Sequence, residues 1–296
     1  MITKRPKSSA LCSNALVLAV GLILAPSAWA SSILGSMDVY AIMGAAITAG
    51  GAAPAATNTV GVSEIRGGDF GLASGVEGGA GSHNFPDGAG ATVTTTEQNR
   101  SDFTRAFNGL SNIAATATAT TIDGATTYAP GVYDLGTSAA TAAGATFTLD
   151  AQGESGAAWI FRATTTFTIG ANSSVEFINQ APGAAVDNYG LFFLAGTTLD
   201  LGANSIFAGN LLAGTINLGK GASLNGSAMA NIMNLDANNI NATDGGYTSG
   251  LAYAPDGSLT TDVTPGPIPE PASAVFLISV MSMLFVLLKR GRSARR

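Results

Sequence analysis

Charge is scarce in this chain: Asp, Glu, Lys and Arg make up 11% of its 296 residues, against about 25% in an average protein. That scarcity excludes a charge-rich disordered tail and a basic nucleic-acid binder. There is one cysteine, Cys12, which excludes a disulfide scaffold and a cysteine zinc site. There is one histidine, His83, which excludes every mechanism that needs two. Long side chains are few. Ala, Gly, Thr, Ser and Asn dominate, a composition that suits tight, repetitive β structure and suits an ordinary enzyme core poorly.

The two ends differ from the body. Residues 1–30 read as a secretory signal peptide: Lys4, Arg5 and Lys7 lead an apolar run Ala15–Leu24, and Ala28-Trp29-Ala30 supplies small residues for signal peptidase. The run is short for a spanning helix. Near the other end, Ala272–Leu288 is 17 residues without a charge, followed by Lys289, Arg290, Arg292, Arg295 and Arg296. It is just long enough to span a bilayer, and its basic tip is expected to stay cytoplasmic. Pro269-Glu270-Pro271 stands immediately before it. These three parts, in this order over 267–296, resemble the PEP-CTERM sorting signal of bacterial surface proteins. The resemblance implies processing by an exosortase near Pro269, Glu270 and Pro271, in a Gram-negative, biofilm-forming host. A plain C-terminal anchor behind a proline-rich linker is the competing reading. Eight of the 13 basic residues lie in these ends, against one of the 19 acidic residues, Glu270; the body 31–268 is therefore near −13. Such a body avoids nucleic acid and anionic membranes.

The middle of the chain repeats. Trp159–Ser173 aligns with Leu191–Ser205 at an offset of 32, with Phe161 on Phe193, Ala163 on Ala195, and Gly170-Ala-Asn-Ser173 on Gly202-Ala-Asn-Ser205. A period of 17 follows: Phe207, Gly209, Leu212, Ala213, Asn217, Leu218 and Gly219 return as Leu224, Gly226, Met229, Ala230, Asn234, Leu235 and Asp236, the last pair departing from the pattern. Fixed short periods mean a stacked architecture. Alternating runs such as Phe167-Thr168-Ile169, bounded by Gly and Asn, read as strands and tight turns. Seventeen residues are too few for a pair of helices and fit one coil of a β-helix, with Gly and Asn at corners that need positive φ. One segment, Thr94–Ile113, breaks the pattern. Phe103, Ala106, Phe107, Leu110 and Ile113 fall on one helical face, and Thr94 with Glu97 is a candidate capping box.

These pieces together resemble the bacterial ice-binding-protein-like family. The resemblance rests on Tyr128-Ala-Pro-Gly-Val-Tyr133, Phe147-Thr-Leu-Asp-Ala-Gln-Gly153 with Ala158-Trp-Ile-Phe161, Gly221–Ala228, and Leu235-Asp-Ala-Asn-Asn-Ile240. Leu34–Ala46 and Ile65–Leu72 match more loosely. The resemblance implies a mainly β fold: a right-handed parallel β-helix, roughly triangular in section, with one long α-helix alongside. Characterised members bind ice, and others carry the fold without demonstrated activity. The expected layout is a signal peptide 1–30, a β-helix domain 31–242, a linker 243–267, and a sorting signal with a transmembrane helix 268–296.

An ice-binding face must be flat, regular and nearly free of charge. Strands on neighbouring coils lie about 4.7–4.9 Å apart, and same-face residues along a strand about 6.6–6.8 Å. With Phe167 and Ile169 pointing inward, Thr166 and Thr168 point out. The same register is expected to align Thr146 and Thr148, Thr198 and Asp200, Thr215 and Asn217, and Ile232 and Asn234 with them. The candidate ice contacts are thus Thr146, Thr148, Thr166, Thr168, Thr198, Thr215, Asn217 and Asn234. Threonine is also simply a good strand residue, and the sequence leaves open which of three faces is used. An enzyme reading has little support. Asp150, Glu154, Asp200 and Asp236 occupy different phases of the repeat, His83 is expected to be a loop residue within the glycine-rich loop Gly78–Gly90, and Asp236-Ala-Asn-Asn and Asp244-Gly-Gly lack calcium-loop spacing. No cofactor, metal or nucleic-acid partner is expected. The expected partners are an ice or ordered-water surface, signal peptidase and exosortase during export, and an exopolysaccharide matrix. The expected location is an inner-membrane intermediate during export, then the cell surface or extracellular matrix of a Gram-negative bacterium. The rival to ice binding is a non-catalytic structural or adhesive protein of that matrix.

Overall fold

The alternation read in the repeat block closes into stacked coils. In the computed structural model, the described residues are 31–44, 56–72, 77–118, 122, 124–185, 188–242, 246–249, 251–253 and 259–260. The segment 1–30, Asp244, and residues 261–296 with Pro269, Glu270 and Pro271 lie outside them. The fold is a parallel β-helix with one α-helix, α1 (Glu97–Asn112), alongside.

Each full coil contributes a strand to each of three faces. The long strands Gly190–Leu201, Asn210–Leu218 and Ala228–Leu235 run across two faces and turn a corner on the way. The sequence periods are the coil register itself. Phe161 partners Phe193, Thr166 partners Thr198, Ala213 partners Ala230, and Asn217 partners Asn234. An extra residue at the Gly196–Thr197 corner shifts the register between Ala195 and Thr198.

The chain order along the stack is not sequential. The first coils dock behind the last: Ile42 and Met43 partner Ala228 and Met229, Asn58 partners Leu235, and Ile240 partners Ile65. The N-terminal strands therefore cover the end that the C-terminal coil would leave as an unpaired edge. The chain must then travel back to begin the repeat block at the far end. That path spans eight inter-strand steps of about 4.8 Å, or about 38 Å. Sixteen helical residues cover about 24 Å of it, and extended residues at both ends cover the remainder.

Two apolar clusters hold these layers. Inside the bore, inward residues such as Trp159, Phe161, Phe193, Leu211, Ile216 and Ile240 are fully buried. The second cluster lies between α1 and the first face. There the outward residues are apolar as well: Val132, Ile160, Phe192, Leu194, Leu212 and Met229 meet Phe103, Ala106 and Leu110. That is why this face reads as unbroken apolar runs while the others alternate.

One corner column shows how the repeat motif works. Gly144, Asn172, Asn204, Gly221, Ala237 and Gly61 all have φ between 51° and 83°, and the first five are joined coil to coil by backbone hydrogen bonds. Asn and Gly tolerate this left-handed region best. Gly202, two residues earlier, is required by close approach, since a Cβ there would lie 2.3 Å from the Ala171 nitrogen. Ser173 and Ser205 are buried and both donate to the Gly170 carbonyl, at 2.7 and 3.1 Å.

Three expectations need correction. The helix starts at Glu97 with Thr96 as its cap, not Thr94: Thr96 Oγ1 accepts from the Asn99 N–H at 3.2 Å, and Asn99 Oδ1 accepts from the Thr96 N–H at 2.8 Å. Asn replaces the Glu of the usual box, which hides the motif. His83 is not in a loop but in the strand Ser82–Asn84, partnering Ser63, with its ring edge-on to Phe70 at 4.8 Å. Part of the expected linker 243–267 belongs to the fold. Tyr247 is buried and its carbonyl accepts from the Leu191 N–H. Ala252–Tyr253 pairs antiparallel with Ser31–Ser32 and with Leu259–Thr260. The Tyr253 hydroxyl donates to the Arg105 carbonyl at 2.7 Å, in space that Gly109 leaves open.

Candidate functional site

Three faces are available, and their chemistry differs. The first is covered by α1, so its outward residues are buried. Among the described residues of the third, Thr146, Thr148 and Asp150 adjoin Ser174, Glu176 and Ile178, and further along Glu64 pairs with Arg66. The second face carries one charged outward residue among those described on its paired strands, and no described element covers it.

This open face is built from Ser138–Ala140, Thr166–Ile169, the second halves of the three long strands, Ala56–Asn58 and, at its end, Glu77–Gly78. Its inward residues, Phe167, Ile169, Leu199, Leu201, Ile216 and Met233, are buried and anchor the sheet from behind. Its outward residues form two rows along the stack. One reads Ser138, Thr166, Thr198, Thr215, Ile232; the other reads Ala140, Thr168, Asp200, Asn217, Asn234, Thr57. All are short except Ile232, which is 39% exposed. The rows are about 6.6–6.8 Å apart and their members about 4.7–4.9 Å apart along the stack.

The second row is internally bonded. Thr168 Oγ1 donates to Asp200 Oδ2 at 3.3 Å, Asn217 Nδ2 donates to Asp200 Oδ1 at 2.5 Å, and Asn234 Nδ2 donates to Asn217 Oδ1 at 2.7 Å. At the rim, Ser138 Oγ and Thr165 Oγ1 are 2.9 Å apart.

Six of the eight sequence-selected residues come together on this face: Thr166, Thr168, Thr198, Thr215, Asn217 and Asn234. Thr146 and Thr148 do not. They lie on the third face, where Thr146 Oγ1 and Ser174 Oγ are 3.2 Å apart. The places expected for them are filled by Ser138 and Ala140, which partner Thr166 and Thr168. The local likeness of Thr146-Phe-Thr148 to Thr166-Phe-Thr168 misleads because coil length varies. The correct offset of 28 is visible where Gly131-Val-Tyr133 partners Trp159-Ile-Phe161. Thr57 was missed because its coil precedes the repeats in sequence and follows them in space.

Two other charged groups serve the fold. Arg162 Nη1 donates to the carbonyls of Ser111 and Ile113 at 2.7 and 2.6 Å, closing the C-terminus of α1. Asp102 Oδ2 accepts from the Ser36 N–H and hydroxyl at 2.9 and 2.7 Å, tying α1 to the turn Gly35–Met37. Burial opposes the charge on Asp102, yet Ser36, Gln98 and Arg105 outweigh it and hold the carboxyl below its ordinary range. Among the described residues, no three of His, Cys, Asp and Glu gather as a metal site, and no helix is long and apolar enough to cross a membrane.

Stacked parallel coils, one flanking helix and one open, charge-poor face define the class: a β-helix that presents an exposed sheet face of short, mostly neutral side chains. The chain belongs to the Ice-binding-like family, whose pattern it matches over residues 27–241. It is 27% identical over 226 residues to an ice-binding protein of Nostoc sp. (strain HG1), covering 74% of this chain and 77% of that one. The structure is similar to that of an ice-binding protein from an Antarctic biological consortium, with TM-score 0.57, 25% identity, and coverage of 72% of this chain and 91% of that one. An ice-binding protein domain from Shewanella frigidimarina shares the fold, with TM-score 0.56, 23% identity, and coverage of 72% and 98%.

Proposed function

We propose that this protein binds ice through its open face, using Thr166, Thr198 and Thr215 in one row and Thr168, Asn217 and Asn234 in the other. The observation that carries the reading is the in-register run Thr166–Thr198–Thr215 on three neighbouring coils. Each threonine offers a methyl and a hydroxyl at a fixed height. A repeating array of such groups at about 4.7–4.9 Å orders adjacent water without holding it as tightly as charges do. The related proteins described as ice-binding support the same reading. The role is adhesion to ice or inhibition of its recrystallisation, with no catalytic step.

The protein is exported and displayed on this account. Signal peptidase acts after Ala30, and an exosortase acts near Pro269-Glu270-Pro271 in a Gram-negative bacterium, leaving the β-helix at the cell surface or in the exopolysaccharide. Sequence supports this part: the charged ends flank a body near −13. Glu270→Ala is expected to leave uncleaved precursor in the inner membrane; normal processing of that variant contradicts the sorting reading. For ice binding, the test is the shape and recrystallisation of ice at micromolar protein. Faceted, slowly coarsening crystals are expected, and ordinary crystals in the presence of folded protein contradict it.

A further inference from the structure

The row Thr168–Asp200–Asn217–Asn234 contains the one carboxylate among the outward side chains described on the open face, placed where a charge is least welcome. We propose that Asp200 is a positioning residue that sets the rotation of the amides of Asn217 and Asn234; the consequence for ice rests on the reading above. An ionised carboxylate accepts hydrogen bonds and donates none, whereas an Asn amide does both and is nearly symmetric in shape. Asn217 therefore has to turn its Nδ2 toward Asp200, where the two atoms are 2.5 Å apart. That leaves Asn217 Oδ1 facing the next coil, so Asn234 has to present its own Nδ2, at 2.7 Å. Thr168 donates from the opposite side, to Oδ2. Every donor in the row points toward Asp200, and the sense of the row is fixed across four coils.

With an amide in place of Asp200, both rotations of Asn217 find a partner, and the ladder loses its single sense. The carboxylate also makes the first bond charge-assisted, hence shorter and stronger than amide to amide. Two of its roughly four acceptor sites are already taken by Thr168 and Asn217, which reduces the water it organises for itself. Asp200 thus trades a local disturbance for order over the neighbouring coils. The opposite view treats it as a blemish whose neutralisation improves the face. The two views differ in sign.

The experiment records the side-chain amide NMR signals of Asn217 and Asn234 in isotopically labelled protein, assigned with Asn217→Ala and Asn234→Ala. Asp200→Asn is expected to shift and broaden the Asn234 pair, although Asn234 does not touch Asp200. Asp200→Glu, which stays acceptor-only, is expected to preserve the Asn234 pattern far better; a general packing defect does not separate the two variants in this way. If Asp200→Asn fails to fold, Asp200→Ser is read the same way. An unchanged Asn234 pair in the neutral variant overturns the proposal. In the ice assay, losing about one hydrogen bond's worth of order is expected to raise the protein needed for equal recrystallisation inhibition about five-fold. Equal or better activity overturns the consequence for ice. If the parent protein leaves ice unmodified, the ice reading fails, and the NMR comparison still decides the positioning role.

Discussion

Phe161 and Phe193 are direct partners on neighbouring coils, and their rings stack with centroids 5.2 Å apart and planes 10° from parallel. Tyr133 extends the stack at 5.1 Å and 15° from Phe161. This column fills part of the bore and ties three neighbouring coils together. Phe193→Ala is expected to cost about 3–5 kcal/mol, read as a fall in the denaturant midpoint. Phe193→Leu is expected to cost clearly less.

The corner residue Asn204 has φ 55°. Asn204→Gly is expected to leave the thermal midpoint nearly unchanged, because glycine enters this region freely. Asn204→Val is expected to cost at least about 1–2 kcal/mol. Equal stability of the two variants contradicts the assigned corner geometry.

Arg162 reaches from the β-helix to the last carbonyls of α1. Arg162→Met keeps much of the apolar stem and removes these bonds. The expected loss is about 1.5–3 kcal/mol, the range for hydrogen bonds to a charged group. Hydrogen exchange at the last turn of α1 is expected to quicken, while the open face stays protected.

Asp102 and Asp38 shift in opposite directions, so acid acts on them with opposite signs. The Asp102 carboxyl is lowered in the folded protein despite its burial, through Ser36, Gln98 and Arg105. Its contribution is fully present above the ordinary aspartate value of about 3.9 and is lost as pH falls through the lower folded value. Burial raises Asp38, partly offset by Ser32 and reinforced by Asp102; its ionisation costs stability as pH rises through the raised value. At pH 7, Asp102→Asn is expected to lower the thermal midpoint and Asp38→Asn to raise it. Denaturation curves between pH 2 and 7, each range chosen around the aspartate value of about 3.9, check both signs.

Much of the coil architecture was legible because a solenoid writes its register into its period. Phe161 on Phe193 and Asn217 on Asn234 are alignments of sequence and of space alike. The apolar face of α1 was legible for a similar reason, since Phe103, Ala106 and Leu110 recur at helical spacing and are buried. What escaped is what period does not encode. Docking of Ile65 against Ile240 joins segments 175 residues apart with no shared motif. Thr146 and Thr148 resemble Thr166 and Thr168 locally, yet the length of the coil between them puts them on another face. The segment with Tyr247 and Tyr253 sits in a stretch rich in Gly, Ser and Thr, where a few scattered apolar residues, Tyr247, Leu251 and Tyr253, are buried without any repeat spacing to announce them.

The central claim, that one face and not another meets ice, is tested most directly by a matched pair of variants. Thr198→Tyr puts a ring at the centre of the open face, and Thr148→Tyr puts the same ring on the third face. Recrystallisation is measured with both proteins after their thermal midpoints show them folded. Thr198→Tyr is expected to let ice grains coarsen as in buffer, with Thr148→Tyr indistinguishable from the parent. Full activity in Thr198→Tyr, or its loss in Thr148→Tyr alone, contradicts the assignment.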